Sequence, residues 1–179
     1  MSEKICMYNG RPSEARTGTE DAVYDLLDKL GIEYTRVDHK ELATMEECKE
    51  VDELLGINMC KNLFLCNSGK SDFYVLLMPG EKKYVTKVVS KQIGSSRLSF
   101  APEEYMERYL SVKPGAVTVL GLMNDTEHNV KLLIDEDLLK EEYIACHPCV
   151  NTSSIKLKMS DVLDKFLKYT GHYYSVVSL

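Results

Sequence analysis

The sequence predicts one α/β domain of the α+β kind, built on a mixed, curled β-sheet rather than a doubly wound one. Three observations lead there. Short β-rich runs alternate with segments of helical period. The runs are short and their connections vary in length, unlike the repeated units of a parallel sheet. No internal repeat, low-complexity tract or interior linker divides residues 19–179. Residues 1–18 carry Gly10, Pro12 and Gly18 with little periodicity, and read as a loosely held N-terminal leader.

Each element has a local reason. Thr19 is placed to cap a helix over 20–30, with Glu20 and Asp21 favourable in its first turn. Val23, Leu26, Leu27 and Leu30 mark its apolar face, and Gly31 stops it. Residues 33–37 alternate as a short strand. Thr44 and Glu47 form a capping box for a helix to Leu55 that buries Met45, Cys48, Val51 and Leu55. The apolar runs 62–66 and 73–78 flank Asn67-Ser68-Gly69-Lys70 and predict a hairpin buried on both faces. Thr86 caps a helix to Ile93, and Pro102 with Glu103 and Glu104 opens another to about Leu110. After Pro114-Gly115, residues 116–122 read as a β-rich run, 130–134 as a strand and 135–140 as a short helix. Ile155–Leu157 is a further strand, and Ser160 caps a last helix burying Val162, Leu163, Phe166 and Leu167 before Gly171. Residues 173–177 close the chain as an edge strand.

Composition narrows the class. With 44% hydrophobic and 28% charged residues the chain suits a globular fold, and no apolar run approaches the roughly 18 residues of a membrane span. The start, Met1 to Cys6, lacks a secretory pattern, so a cytoplasmic protein is expected, with its six cysteines reduced. A net charge of −6 argues against general nucleic-acid affinity. Yet Lys61, Lys70, Lys82, Lys83, Lys87, Lys91 and Arg97 face only Asp72 and Glu81 within the same stretch. That stretch is either a solvated face or a patch for a phosphate backbone.

The densest chemistry lies in Tyr143–Ser154, where Cys146-His147-Pro148-Cys149 precedes Val150-Asn151-Thr152-Ser153-Ser154 in a chain of four histidines. Pro148 biases His147 toward extended backbone. A redox CxxC would want its first thiol at a helix start, and the residues that follow are poor helix formers. A zinc site would want a second ligand pair, for which Cys60 and Cys66 are loosely spaced. Adjacent residues on an extended chain face opposite ways, so Cys146 and His147 are poorly placed as a nucleophile and base. A buried histidine bonded to backbone is the plain structural reading. Lys61 and Asn62 open an apolar strand, either snorkelling at an edge or holding an anionic or hydroxylated substrate.

Taken in order, Lys61-Asn62-Leu63-Phe64-Leu65, Arg97-Leu98-Ser99-Phe100-Ala101, Pro114-Gly115-Ala116-Val117-Thr118, Gly121-Leu122-Met123-Asn124-Asp125 and His147-Pro148-Cys149-Val150-Asn151-Thr152 resemble the YbaK/ProX family of aminoacyl-tRNA editing domains. These occur free-standing and inserted in bacterial prolyl-tRNA synthetases. The resemblance runs from about Glu20 to Thr170-Gly171-His172, and the free-standing ProX branch, which clears alanine from proline-specific tRNA, is nearest. It implies a curled, barrel-like mixed sheet surrounded by helices. It also implies a trans-editing deacylase that hydrolyses the ester of mischarged tRNA(Pro), above all Ala-tRNA(Pro), by size exclusion and a positioned water. The implied partners are the acceptor end of mischarged tRNA and prolyl-tRNA synthetase, with no membrane, DNA, metal or cofactor.

Carried over by position, Lys61, Gly115 and His147 are the catalytic candidates. Lys61 and Asn62 would sit by the terminal adenosine, the Gly115 loop would border the scissile ester, and His147 would line the aminoacyl pocket. Ala116, Val117, Thr118, Asn151 and Thr152 would complete the substrate site, with Lys82, Lys83, Lys87 and Lys91 as the tRNA contact. Where the family loop commonly reads Gly-x-x-x-Pro, Val119 stands here. An aminoacyl ester is already activated, so a held water and oxyanion donors suffice, and His147 need only shape the pocket or orient that water. Two other classes stay open: a non-catalytic relative sensing aminoacyl-tRNA or a free amino acid, and a redox protein using Cys146 and Cys149.

Overall fold

The computed structural model describes residues 5–42 and 45–179. Its strands are β1 (Met7–Asn9), β2 (Tyr34–Asp38), β3 (Lys61–Cys66), β4 (Phe73–Met78), β5 (Ser99–Phe100), β6 (Val130–Asp135), β7 (Tyr143–Cys146), β8 (Ser153–Lys158) and β9 (Tyr174–Val177). They form two sheets. One is antiparallel, in the order β1-β2-β8-β7. The other is mixed, in the order β5-β3-β4-β6-β9, with β4, β6 and β9 parallel and β3 antiparallel to β4. Among the described residues the two ladders do not join into a closed barrel. One core cluster spans both, through Tyr34, Ile144, Ile155 and Leu157 of the first sheet and Phe64, Val75, Leu77, Leu132 and Ile134 of the second.

Helix α1 (Gly18–Lys29) packs Val23, Leu26 and Leu27 into this core, each contributing ~1.5–3 kcal/mol relative to exposure. Its cap is Thr17, whose Oγ1 accepts from Glu20 N at 3.4 Å; the expected cap, Thr19, lies inside the helix. Helix α2 (Met45–Leu55) buries Val51 and Leu55 and leaves Cys48 half-buried. The expected Thr44 cap lies outside the described residues, as does the side chain of Met45. Helix α3 (Thr86–Gln92) starts one residue after Val85, so Thr86 is helical and caps nothing. Helix α4 (Glu103–Tyr105) continues as a π-turn over Met106–Leu110. The last helix runs through α5 (Met159–Asp161), a π-turn (Val162–Phe166) and α6 (Leu167–Thr170). Lys158 precedes it, so Ser160 falls in its first turn rather than at the cap.

The β3–β4 hairpin pairs Lys61 with Met78 through to Cys66 with Phe73. Asn67 builds its turn, with Oδ1 accepting from Ser71 N and Asp72 N. The stretch read as leader contributes β1, which pairs with β2, and Arg11, whose guanidinium meets Asp25 at 2.8 Å. The β-rich run 116–122 is not a strand: Val119–Asn124 coils into a 3-10 helix. The physical reason is partners. Thr118 Oγ1 accepts from Leu120 N at 3.3 Å and Asn62 Oδ1 from Val119 N at 2.9 Å, so these amides are satisfied without a neighbouring strand.

Candidate active site

Alternation along β3 separates its first two side chains. Phe64 faces the main core, and Leu65 faces a second core beneath α3. Asn62 shares the Phe64 side and Lys61 the Leu65 side. Asn62 is fixed from two directions, accepting from Val119 N and donating Nδ2 to the Cys60 carbonyl at 3.4 Å.

Opposite it, the loop before Val119 turns at Gly115, whose φ is +86°. A side chain is disfavoured there by backbone alone. A Cβ on Gly115 would also lie 3.4 Å from Asn151 Nδ2, so this loop and the one after His147 approach closely. His147 follows β7. Its Nδ1–H donates to the Ser153 carbonyl at 2.7 Å, which leaves the lone pair on Nε2. Burial pushes its pKa below the ordinary imidazole value, so the ring is neutral at pH 7.

Asn62, Gly115, Val117 and His147 line one cavity of about 340 Å³, completed by Leu42, Cys48, Met59 and Cys60. Larger clefts lie elsewhere on the molecule, but this one joins an amide, a turn glycine and a neutral imidazole inside an apolar wall. The arrangement suits a small apolar group held beside polar groups that orient water.

The aminoacyl-tRNA editing domain family model matches residues 39–165. The chain belongs to this family. Its domains are aminoacyl-tRNA hydrolases, and the cavity just described is the editing domain's candidate active site. The prolyl-tRNA editing protein ProX of Acetoanaerobium sticklandii is 32% identical over 89% of this chain and 97% of its own length. The prolyl-tRNA synthetase associated domain-containing protein 1 of Danio rerio is also 32% identical, over 83% of this chain and 80% of its own. A crystal structure of a provisionally assigned trans-editing enzyme for prolyl tRNA synthetase shares the fold, with a TM-score of 0.67, 16% identity, and coverage of 92% and 99% of the two chains.

The family match begins at a residue that sequence reasoning missed. His39 directly follows β2, is only 8% exposed, and has its ring centroid 6.1 Å from that of His147. Its Nδ1–H donates to the Lys40 carbonyl at 2.7 Å, so Nε2 accepts from Ser154 Oγ at 2.8 Å. Its backbone N–H donates to the Thr152 carbonyl at 3.0 Å. The cavity histidine His147 and its neighbour His39 are thus tied to one short segment, Thr152–Ser154. The signal in the sequence was slight, a histidine just beyond a short strand.

Other candidate residues fall around the cavity or away from it. Ala116 and Thr118 are buried behind Val117 and do not line the cavity. Asn151 stands against Gly115, while Thr152 is exposed and serves His39 through its carbonyl. Lys61 does not line the cavity; its ammonium donates to the Lys82 carbonyl at 2.5 Å. Lys83, Lys87 and Lys91 are exposed. Lys82 is committed internally, to buried Asp135 at 2.9 Å, to Asp137 at 2.6 Å and to the Leu179 carbonyl at 2.9 Å.

The thiols of Cys146 and Cys149 are buried, and burial pushes both up, Cys149 to about 12. A redox CxxC needs the opposite shift. Among the described residues no group of three His, Cys, Asp or Glu side chains is placed to hold a metal ion, and no helix is long and apolar enough to cross a membrane.

Proposed function

We propose that the protein is a trans-editing deacylase that hydrolyses the ester of mischarged tRNA(Pro), with alanine as the amino acid removed. The observation that carries this reading is the cavity itself, which joins Asn62, Gly115 and His147 under an apolar wall of Leu42, Met59 and Val117. The terminal adenosine enters beside Asn62, and the aminoacyl group points toward Val117. The backbone amides of Gly115 and Val117 face the developing oxyanion, where fixed donors act without reorganisation, while that of Ala116 is held by the Lys113 carbonyl. His147, neutral and with its lone pair on Nε2, orients the attacking water, and the substrate's own ribose hydroxyl helps position it.

Lys61 supplies a cation outside the cavity, on the opposite face of β3 from Asn62. Its ammonium is held by one backbone carbonyl, and a phosphate oxygen of the tRNA displaces a single hydrogen bond worth about 0.5–1.5 kcal/mol net. Lys83, Lys87 and Lys91 draw the tRNA backbone in, while Lys82 works as an internal strut. Selection is by size: one methylene is worth about 1–3 kcal/mol in an apolar pocket, so a synthetase that mischarges a smaller residue needs a second, smaller sieve. Prolyl-tRNA synthetase is the partner whose product this activity corrects, and the cytoplasm is where the two meet.

The test is release of free alanine from Ala-tRNA(Pro) by the purified protein, at low salt, against the Lys61→Ala variant. Wild type releases alanine, and the folded variant does so more slowly at limiting tRNA. A folded wild type that binds the tRNA and releases nothing would contradict the reading.

A further inference from the structure

The face of the mixed sheet that carries α3 has an exposed aromatic ring with no structural task. Phe100 is 64% exposed, on the two-residue edge strand β5. Its backbone is fixed by pairing with Leu65 and by the bond from Ala101 N to the Phe64 carbonyl at 2.9 Å. Its ring leans on Tyr84 at 6.1 Å between centroids and 56° between planes, so it is oriented but not covered. Around it the surface is cationic. Lys87 and Lys91, four apart on α3, share a stripe; Lys83 precedes the helix and Arg97 precedes β5. All four are exposed, and among the described residues none makes an ion pair. Val85 and Val88, on the same segment, are 41% and 40% exposed. Register sets its place relative to the cavity: Phe100 lies opposite Leu65, about 10 Å along β3 from Asn62 and on the other face of the sheet, at the β5 edge.

We propose that this face is a single-strand platform, on which a base of an unpaired RNA end stacks against Phe100 while Lys83, Lys87, Lys91 and Arg97 meet its phosphates. An exposed ring within a field of unpaired cations suits a nucleic-acid strand, because every base offers a π-face and every linkage a charge. A protein partner would want acids to answer the lysines and an apolar patch continuous enough to bury. The inference rests on the tRNA substrate proposed above, and assigns to this face the single-stranded nucleotides that lead around the β5 edge from the terminal adenosine.

The experiment measures binding of uncharged RNA, so its result is independent of hydrolysis. The probe is an acceptor-stem hairpin carrying a single-stranded CCA end, compared with the same stem made blunt. Removing the single-stranded end weakens wild-type binding, and Phe100→Ala weakens binding of the tailed hairpin roughly 5- to 100-fold with little effect on the blunt one. Phe100→Tyr restores affinity, since a phenol ring stacks as well. Lys87→Ala and Lys91→Ala each lower the slope of log affinity against log salt by about 0.7–0.9. Because Phe100 is exposed, its replacement leaves both cores intact. Equal affinity of wild type and Phe100→Leu for the tailed hairpin would overturn the proposal. So would an equal loss on the tailed and blunt forms, and so would Phe100→Ala binding RNA normally while losing co-elution with prolyl-tRNA synthetase. Failure of deacylation with the binding pattern intact would instead strike the function proposed above.

Discussion

Asn62 is the residue whose removal is most informative, because it joins the strand that opens the site to the loop that borders it. Asn62→Ala deletes the acceptor for Val119 N–H, at 2.9 Å, beneath a residue with no exposed surface. An unsatisfied buried amide costs about 1–3 kcal/mol. For a chain of this size each kcal/mol moves the melting temperature by roughly 2–4 °C, so the expected fall is about 2–12 °C. Asn62→Asp keeps the acceptor and is expected to recover at least half of that fall. Val119→Pro breaks the same bond from the other side, with a different outcome. Val119 is the first residue of its 3-10 turn, and Thr118 before it is extended (ψ 149°), so a proline is sterically welcome. The orphan is then a half-exposed side-chain oxygen that water can satisfy, and the loss stays within about 1 kcal/mol. Hydrolysis follows position rather than stability: Asn62→Ala lowers kcat/KM by about 100-fold, the scale of a 1 Å misplacement. Thermal melts of the three variants with single-turnover deacylation are the assay. Equal melting temperatures for wild type and Asn62→Ala, or equal losses for Asn62→Ala and Val119→Pro, would refute the reasoning.

Further outcomes follow from other parts of the structure. His147→Ala lowers kcat/KM by less than about 100-fold, since the ring orients water; a loss of 1000-fold or more in the pH–rate profile would make it a general base. Gly115→Ala costs about 1–2 kcal/mol in a urea titration, from left-handed backbone with little added clash, and a variant as stable as wild type would remove that strain argument. Burial holds His39, His147 and His172 below the ordinary imidazole value, so the unfolded chain binds more protons once pH drops below about 6.5. Stability is therefore full above pH 6.5 and falls beneath it, by at most ~1.4 kcal/mol per pH unit for each histidine; urea midpoints at pH 7.5, 6 and 5 check the sign. Lys82→Ala lowers the melting temperature by unpairing buried Asp135, yet leaves the salt slope of tRNA binding unchanged, opposite to Lys87→Ala.

What the sequence made legible had local causes. The β3–β4 hairpin could be read because Asn67-Ser68-Gly69-Lys70 separates two apolar runs, and Asn67 does bond the turn amides. Helix bodies were legible from their period, while caps were displaced by a residue or two, as at Thr17, because several hydroxyls stand near each helix start. The run 116–122 misled because an apolar stretch buried all round has no period to distinguish strand from turn. Within the site, His147 stood out by its local chemistry, while Asn62 and Gly115 were singled out through the family resemblance. His39 did not, since only the pairing of Asp38 with Ser153 brings it to His147. Lys61 was read with Asn62, although neighbours on a strand face opposite sides, and its ammonium lies toward Lys82 instead.

The central claim is that a small apolar cavity edits tRNA(Pro). Its most direct test is kcat/KM for deacylation of tRNA(Pro) charged separately with alanine, cysteine, serine and proline. The account predicts rapid loss of alanine with proline spared. Hydrolysis of Pro-tRNA(Pro) as fast as of Ala-tRNA(Pro), by folded protein, would contradict it.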